Sequence, residues 1–413
     1  MTAITVTAPL AAQRPDSAAL NPDSVRARLE RAEAAIRELQ GQLAAQGESS
    51  LRTRSGVRGE FSGRVLMNGF SNSARTNNTD VPTFVRPDTA SGLPASGVGG
   101  AMRQTTLGAA VVVPSVFGAE FRGDIDVDFF GGQRPSSGGR TFPLIRLRTA
   151  RGTLTWRHGE LLFGQESPLT SGLNPISLAS VGTPGFTSAG NLWLWIPQLR
   201  GTLETAGRVR FGVQGAVLAP MSSDATGLFD TDFDIAERSK RPTVQGRVRV
   251  RWGGDRAGGE LGVGAHRGWF AAKGDSLIVG QMVSADARVH LTRFVELRGE
   301  AFDGKALRGL GGGGIGQNFG VNGVAVSTRG GWAQLNLIPS ERVTVGFGSG
   351  VDDPTDVLVS AGGRLRNQAS AGHLQLRPGG GIVLGAEWRR IWTRYASATR
   401  TNDHINVAVG FEW

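Results

Sequence analysis

From residue 59 to Trp413 the chain alternates apolar with polar or small residues, in segments of nine to sixteen residues separated by turn-forming stretches. Alternation at period two sends side chains to opposite faces of an extended strand, so each segment predicts a β-strand with one apolar and one polar face. Strands are predicted at 59–71, 102–114, 118–130, 140–149, 153–164, 191–204, 208–219 and 241–252. The pattern repeats at 258–271, 277–292, 294–304, 327–338, 342–350, 364–377, 381–394 and 403–413, which makes sixteen. The connections at 115–117, 150–152, 205–207, 253–257, Arg293, 339–341 and 378–380 are tight, and those at 72–101, 165–190, 220–240, 305–326 and 351–363 are long. An even strand number with short turns at one end and long loops at the other is the layout of outer-membrane barrels.

The two faces are plainest in the third segment, where Ala119, Phe121, Gly123, Ile125, Val127 and Phe129 alternate with Glu120, Arg122, Asp124, Asp126 and Asp128. In the eighth, Val244, Gly246, Val248, Val250 and Trp252 alternate with Gln245, Arg247, Arg249 and Arg251. A soluble sandwich also alternates, but it buries its apolar face against a second sheet and leaves a mixed surface. Here the polar faces carry charge too regularly for that, which points to a closed barrel with an apolar outside and a water-filled lumen. The fold class is therefore all-β, a transmembrane antiparallel β-barrel of about sixteen strands. Trp193 and Trp195 at the loop end and Trp252 and Trp413 at the turn end fit aromatic girdles. Arg390 falls on the outward face, and the fourteenth segment changes phase near Gly372, where a bulge is expected.

Residues 1–22 show no basic start and only a weak apolar stretch, and read as a leader remnant or a disordered segment. After Asn21-Pro22-Asp23-Ser24, the residues Val25, Leu29, Ala32, Ile36, Leu39 and Leu43 are spaced 4, 3, 4, 3, 4, the a/d seam of a coiled coil over 23–46. So short a seam needs partner helices and an attached oligomer to be stable. Residues 47–58 form a polar linker, and 59–413 the barrel.

Composition sharpens this picture at three points. There are 62 Gly and 18 Pro, spread among alternating Val, Leu, Ala, Phe and Arg, so they mark turns and strand positions rather than disorder. Cysteine is absent, so disulfides, thiol catalysis and Cys-based metal sites are excluded, and no cofactor or metal is expected. The longest nearly apolar run, Leu107 to Ala119, contains Pro114 and Ser115 and is far shorter than the roughly 20 residues of a membrane helix.

Charge supplies the candidate chemistry. Of 45 cationic residues only Lys240, Lys273 and Lys305 are lysines; the rest are arginines, and the formal net charge is +10. Arginine stays charged when partly desolvated and grips carboxylate or phosphate with two parallel hydrogen bonds, as a pore wall facing anions requires. By strand parity Arg146, Arg148, Arg200, Arg208, Arg210, Arg247, Arg249, Arg251, Arg288 and Arg298 face the lumen. Glu120, Asp124, Asp126, Asp128, Glu204, Asp286, Glu296 and Glu300 face it as well. Asp124, Asp126 and Asp128 stand beside Arg146 and Arg148, where they either orient a dipolar solute or simply neutralise the wall. Arg247, Arg249 and Arg251 have no evident acidic neighbour except Glu260 and are the first candidate for an anion track. The long connection 165–190 can either fold inward as a constriction or lie on the surface.

The basic residues sit singly within strands and no helix-turn-helix, zinc-finger or RNA-binding motif accompanies them, so nucleic acid is not the expected partner. His266, His290 and His404 face inward, but none has a nucleophile motif, which makes a barrel hydrolase the weaker alternative. Gly311-Gly312-Gly313-Gly314-Ile315-Gly316 lacks the Lys-Ser/Thr of a phosphate loop and reads as a flexible loop. A barrel plugged by its own loops, acting as an anchor or adhesin, is the other alternative.

In the last strand Ile405, Val407, Val409, Phe411 and Trp413 face one way, and the sequence stops on an aromatic residue. This resembles the C-terminal signal read by the barrel-assembly machinery, with Trp in place of the commoner Phe. Further pieces are Leu161-Leu162-Phe163-Gly164-Gln165, Pro197-Gln198-Leu199-Arg200, Glu296-Leu297-Arg298-Gly299-Glu300-Ala301-Phe302-Asp303-Gly304, Gly331-Trp332-Ala333-Gln334-Leu335 and Asp352-Asp353-Pro354. With the heptads before them, these resemble the DcaP-like trimeric porins, which join a coiled coil to a sixteen-stranded barrel. The resemblance implies a homotrimer in outer-membrane lipid, with the coiled coil on the periplasmic side, passing small anionic solutes such as carboxylates.

Overall fold

The computed structural model describes residues 56–88, 93–132, 143–223, 232–254 and 257–413, and the extended backbone of Ser50–Arg52. The expected leader, coiled coil and most of the linker lie outside the described residues. The rest forms one antiparallel sheet. Its strands are β1 (Arg58–Asn72), β2 in two pieces (Gly97–Ala101 and Thr106–Val116), β3 (Ala119–Asp128), β4 (Arg146–Thr155), β5 (Gly159–Glu166), β6 (Ile196–Glu204), β7 (Val209–Leu218) and β8 (Thr243–Trp252). The second half is β9 (Gly259–Ala271), β10 (Leu277–Thr292), β11 (Val295–Lys305), β12 (Ser327–Ser340), β13 (Val343–Pro354), β14 (Arg366–Gly379), β15 (Ile382–Arg394) and β16 (Thr399–Glu412). Each strand pairs with its sequence neighbour and β16 pairs with β1, so the ring is closed and has no free edge.

Both pieces of β2 pair with β1, through Asn68–Asn72 and Arg58–Arg64 respectively, so they count as one interrupted strand and the total is the sixteen read from alternation. At the break Thr105 Oγ1 accepts the Leu66 N–H at 3.1 Å, replacing a ladder bond. The outward face is apolar and bare: Phe211, Val213, Val263, Val283, Phe347 and Val407 are all more than half exposed. A soluble surface does not present so wide an apolar belt.

Several expectations need correction. The turn expected at 150–152 is strand. Gly152 is an outward position over which the Phe163 ring lies, so its missing side chain serves packing, and the actual turn is 156–158. A bulge between Asp126 and Val127 admits Arg148 as an extra residue in β4, after which Arg151 faces the lumen. Trp193 and Trp195 are not girdle residues: both are buried, packed edge to face at 5.2 Å, under the guanidinium of Arg146. β14 keeps its phase through Gly372; its irregularity comes later, between Leu376 and Gly379. Outward Ser370 and Gln368 make that strand look out of phase, while inward Ala369 and Ala371 are small because they are packed upon. Arg390 does face outward, 3.9 Å from Asp403.

Candidate functional site in the lumen

The connection after β5, residues 167–195, leaves the wall and runs across the barrel interior, held by side chains from strand after strand. Leu169 N–H donates to Gln245 of β8 at 2.8 Å, Leu173 N–H to Glu300 of β11 at 2.7 Å, and Ile176 N–H to Gln334 of β12 at 2.7 Å. Gln334 returns a bond to Ile176 C=O, Arg298 donates to Asn174 C=O, and Ser177 Oγ donates to Glu387 of β15. Asn68 of β1 donates to Leu178 C=O, Gln104 at the break in β2 takes Ala179 and Val181, and Arg146 of β4 reaches Gly182 C=O. A buried loop must satisfy its backbone groups somehow, and this one does so on the inward residues of the wall. The question left open by sequence, whether 165–190 enters the lumen, is answered here.

Apolar contacts complete the seating. Phe186 stacks on Trp332 at 6.1 Å among Ala369, Ala371 and Ile391, and Leu178 packs with Leu66, Val383 and Ala408. The connection 306–326 also folds inward: Leu307 and Leu310 pack against Leu192, Met282 and Phe302. Its glycine run is therefore not a flexible loop, since Ile315 is fully buried and its N–H donates to Asp352 at 2.8 Å.

Beneath the 167–195 loop lies a cavity of about 320 Å³, lined by Ser167, Leu169 and Leu173 of the loop and by inward residues of β4 to β10. Its cations are Arg151, Arg200, Arg247, Arg249 and Arg288; its anions are Glu166, Glu260 and Asp286. Arg247 is the most tightly held. It donates from Nε to Asp286 at 2.9 Å, from Nη2 to Glu260 at 2.6 Å and from Nη1 to Gln214 at 2.9 Å. Arg249 and Arg251 both reach Glu204, at 2.8 and 2.5 Å, and Arg210 stands 3.4 Å from the same carboxylate. Arg151 pairs with Asp124 at 3.1 Å and with Glu166.

The expectation that Arg247, Arg249 and Arg251 lack acidic neighbours other than Glu260 is thus incorrect. Glu204 and Asp286 come from β6 and β10, each two strands from β8, and they connect because glycine stands between. Gly212 is opposite both Arg249 and Glu204, and Gly262 is opposite both Arg249 and Asp286. A Cβ at Gly262 would meet Arg247 Nε and Asp286 Oδ2 at 2.5 Å, and one at Gly212 would meet Arg249 Cγ at 3.0 Å. The side chains lie flat across the bare strand.

Of the remaining predicted residues, Arg146 pairs with Asp128 at 2.6 Å and Arg148 with Asp126 at 2.9 Å, the wall-neutralising arrangement. Arg298 pairs with Glu296 at 2.6 Å, and Glu300 is spent on the Leu173 N–H. Glu120 is exposed near the turn end of β3. Arg208 is corrected: it lies in the turn before β7, exposed, rather than in the strand. Among the described residues Arg200 bonds Gln198 and Ser167 alone, and Arg288 is exposed with no ion pair. Arg151 was missed because the Ala-Arg-Gly stretch passes for a turn. Polar contacts of His266 with Gln245, His290 with Glu296 and His404 with Asn72 place these histidines in the wall network.

The arrangement is similar to solved channel structures. The outer-membrane channel DcaP of Acinetobacter baumannii superposes with a TM-score of 0.69 at 14% identity, over 88% of this chain and 100% of that one. An anion-selective porin from Comamonas acidovorans gives 0.56 at 13%, over 86% and 100%. OprB of Pseudomonas putida gives 0.52 at 10%, over 86% and 94%. At such identities the likeness establishes the barrel fold. No protein-family model matches the sequence, and no curated protein matches it.

Proposed function

We propose that this chain is a bacterial outer-membrane diffusion channel for small polar, anionic solutes such as carboxylates, with the arginine-lined cavity under the 167–195 loop as its selective site. The observation that carries the reading is that Arg200 and Arg288 line that cavity without an ion-paired carboxylate among the described residues, on a cavity wall where arginines exceed acids. In a narrow lumen with low-dielectric walls such an excess concentrates anions. The belt of exposed Phe, Leu and Val on the outer face meets lipid, with Trp413 stacked on Phe411 at 5.9 Å at its turn-side rim. β3 to β8 have only eight to ten residues, against eleven to sixteen in β9 to β16. So low a wall is barely enough to cross lipid and favours burial against other copies, as in a homotrimer. The coiled coil at 23–46 then gathers the copies on the periplasmic side.

A second reading is a plugged barrel serving as an anchor. It is favoured by the number of strands that bind the 167–195 loop and by the dry clusters around Phe186 and Leu192. Planar-bilayer recording of the purified protein in a salt gradient separates the two. Triplet conductance steps with an anion-directed reversal potential support a trimeric anion channel. Cation preference removes the role given to the arginines, and a correctly folded barrel that does not conduct is the plugged form.

A further inference from the structure

On the outward face of β8 to β12, near the ends that carry the long loops, a groove of about 620 Å³ crosses the sheet. The pairing register lays a row of side chains along it: Val244 opposite Arg267, Arg267 opposite Gln281, Gln281 opposite Lys305, and Lys305 opposite Ser327. Strands lie about 4.8 Å apart, so Arg267 and Lys305, two strands apart, stand roughly 10 Å from one another. The groove is hollow because Gly246 and Ala265, which face each other across β8 and β9, offer no bulk. Directly on its turn-side edge the surface becomes apolar, with Val248 and Val263 paired and both more than half exposed.

The charge here is unlike that of the rest of the belt. All three lysines of the chain, Lys240, Lys273 and Lys305, lie at this end of this sector, in the connections before β8 and after β9 and at the end of β11. Arg241 and Arg267 flank the Trp269 ring at 5.8 and 5.7 Å. The one acid in the groove, Asp303, is paired with Arg329 at 2.6 Å. Arg267 and Lys305 have no carboxylate partner among the described residues, although the barrel interior pairs most of its arginines.

We propose that this groove binds the phosphorylated headgroup of an outer-leaflet glycolipid, with Arg267 and Lys305 taking phosphate and the valine surface below taking acyl chains. The inference rests on the reading of the chain as an outer-membrane barrel, whose long loops face outward. A cationic row set where an apolar belt ends is the place where anionic headgroups lie. A second copy of the chain docked here would desolvate two cations with no carboxylate to meet them.

The test is native mass spectrometry of the full-length protein titrated with bisphosphorylated lipid A, with dephosphorylated lipid A and with inorganic phosphate, beside bilayer recording of the same preparations. The phosphorylated lipid is expected to be retained in preference to the dephosphorylated one. R267A/K305A should weaken it on the order of thirtyfold, about fivefold per cation. Gly246→Leu should weaken it as well, by filling the hollow without altering charge; a Cβ there meets only the Gln214 carbonyl, at 3.9 Å, an ordinary contact, and circular dichroism checks that the variant folds. Neither change should alter conductance. Equal retention of both lipids, no loss in R267A/K305A, or equal competition by inorganic phosphate would overturn the proposal, as would dissociation of an oligomer by these variants. Retention that depends on Arg267 and Lys305 in a protein that does not conduct would uphold the lipid site and remove the channel reading alone.

Discussion

The two halves of the lumen wall are built on different chemistry. From β6 to β11 the inward residues are Arg200, Arg210, Arg247, Arg249, Arg251, Arg288 and Arg298 set among fewer carboxylates. From β12 round to β1 most of them are neutral, Gln334, Asn336, Asn367, His373, Gln375, Asn402, His404, Asn406, Asn68 and Asn72 with small and apolar residues between, and the buried charges are Asp352 and the Glu387–Arg389 pair. The amide half is dry: most of these groups are buried, and they bind the backbone of the 167–195 loop or one another. Amides suit that task because each offers both a donor and an acceptor without a charge to desolvate. The charged half keeps a cavity between itself and the loop. One half of the barrel is therefore a scaffold that positions the loop, and the other half is the side that the proposed channel offers to a solute.

If that division is right, loosening the scaffold should be the most costly change. Gln104 and Gln334 are buried; Gln334 satisfies one N–H and one C=O of the loop, and Gln104 satisfies one C=O and two N–H groups. In Q104L/Q334L these groups lose their partners in a site closed to water, a destabilisation of roughly 4 kcal/mol. Thermal unfolding followed by circular dichroism should show it, and single-channel records should become noisy while ion preference stays as it was. An unchanged melting point would mean that the loop is held by its apolar contacts alone.

Next in size is Asp128→Asn. Asp128 stands on β3, outside both stretches, and resembles the charged one by sequence, but it is wholly buried and paired with Arg146 at 2.6 Å, with the Phe130 N–H as a second donor. Removing its charge leaves Arg146 partly unpaired, at a cost of about 3 kcal/mol. Stability should fall and selectivity should not move. A clear shift in reversal potential would return this acid to the pore.

The strand count, the closure and the outward belt were legible in the sequence because alternation records a two-sided environment residue by residue. The division of the lumen was not. Parity says that Arg247 and Gln334 both point inward, but whether an inward residue meets water or a loop depends on contacts more than a hundred positions away, such as Ile176 with Gln334. Neighbour reasoning also stopped one strand too early: it paired Arg247 with Glu260 and could not see that Gly262 leaves room to reach Asp286. The bulge at Arg148 had a similar effect, since a single inserted residue turned Arg151 inward.

The charged half should answer to substitution in permeation rather than in stability. Replacing Arg200, Arg249 and Arg251 by Gln removes three cations that have no fully buried partner. The ratio of anion to cation permeability should fall on the order of tenfold in reversal-potential measurements, about 1.4 kcal/mol, with little change in melting. The same ratio before and after would show that the cavity is not on the conduction path.

The smallest expected effect probes whether net charge or placement matters more. Glu204 is the shared partner of Arg210, Arg249 and Arg251. Glu204→Gln removes one negative charge from the lumen, which by field alone should raise anion preference, by about twofold or less. It also removes the carboxylate that holds three guanidinium groups together, leaving Arg249 and Arg251 only their longer contacts to Glu260, at 3.8 and 3.9 Å. These side chains are partly exposed to the lumen, so their mutual repulsion is screened and amounts to less than about 1 kcal/mol, too little to unfold the wall. A modest gain in anion preference at unchanged stability therefore means that the excess of positive charge sets selectivity. A loss of preference instead would mean that Glu204 acts by fixing where the arginines stand, and that the cavity discriminates by geometry.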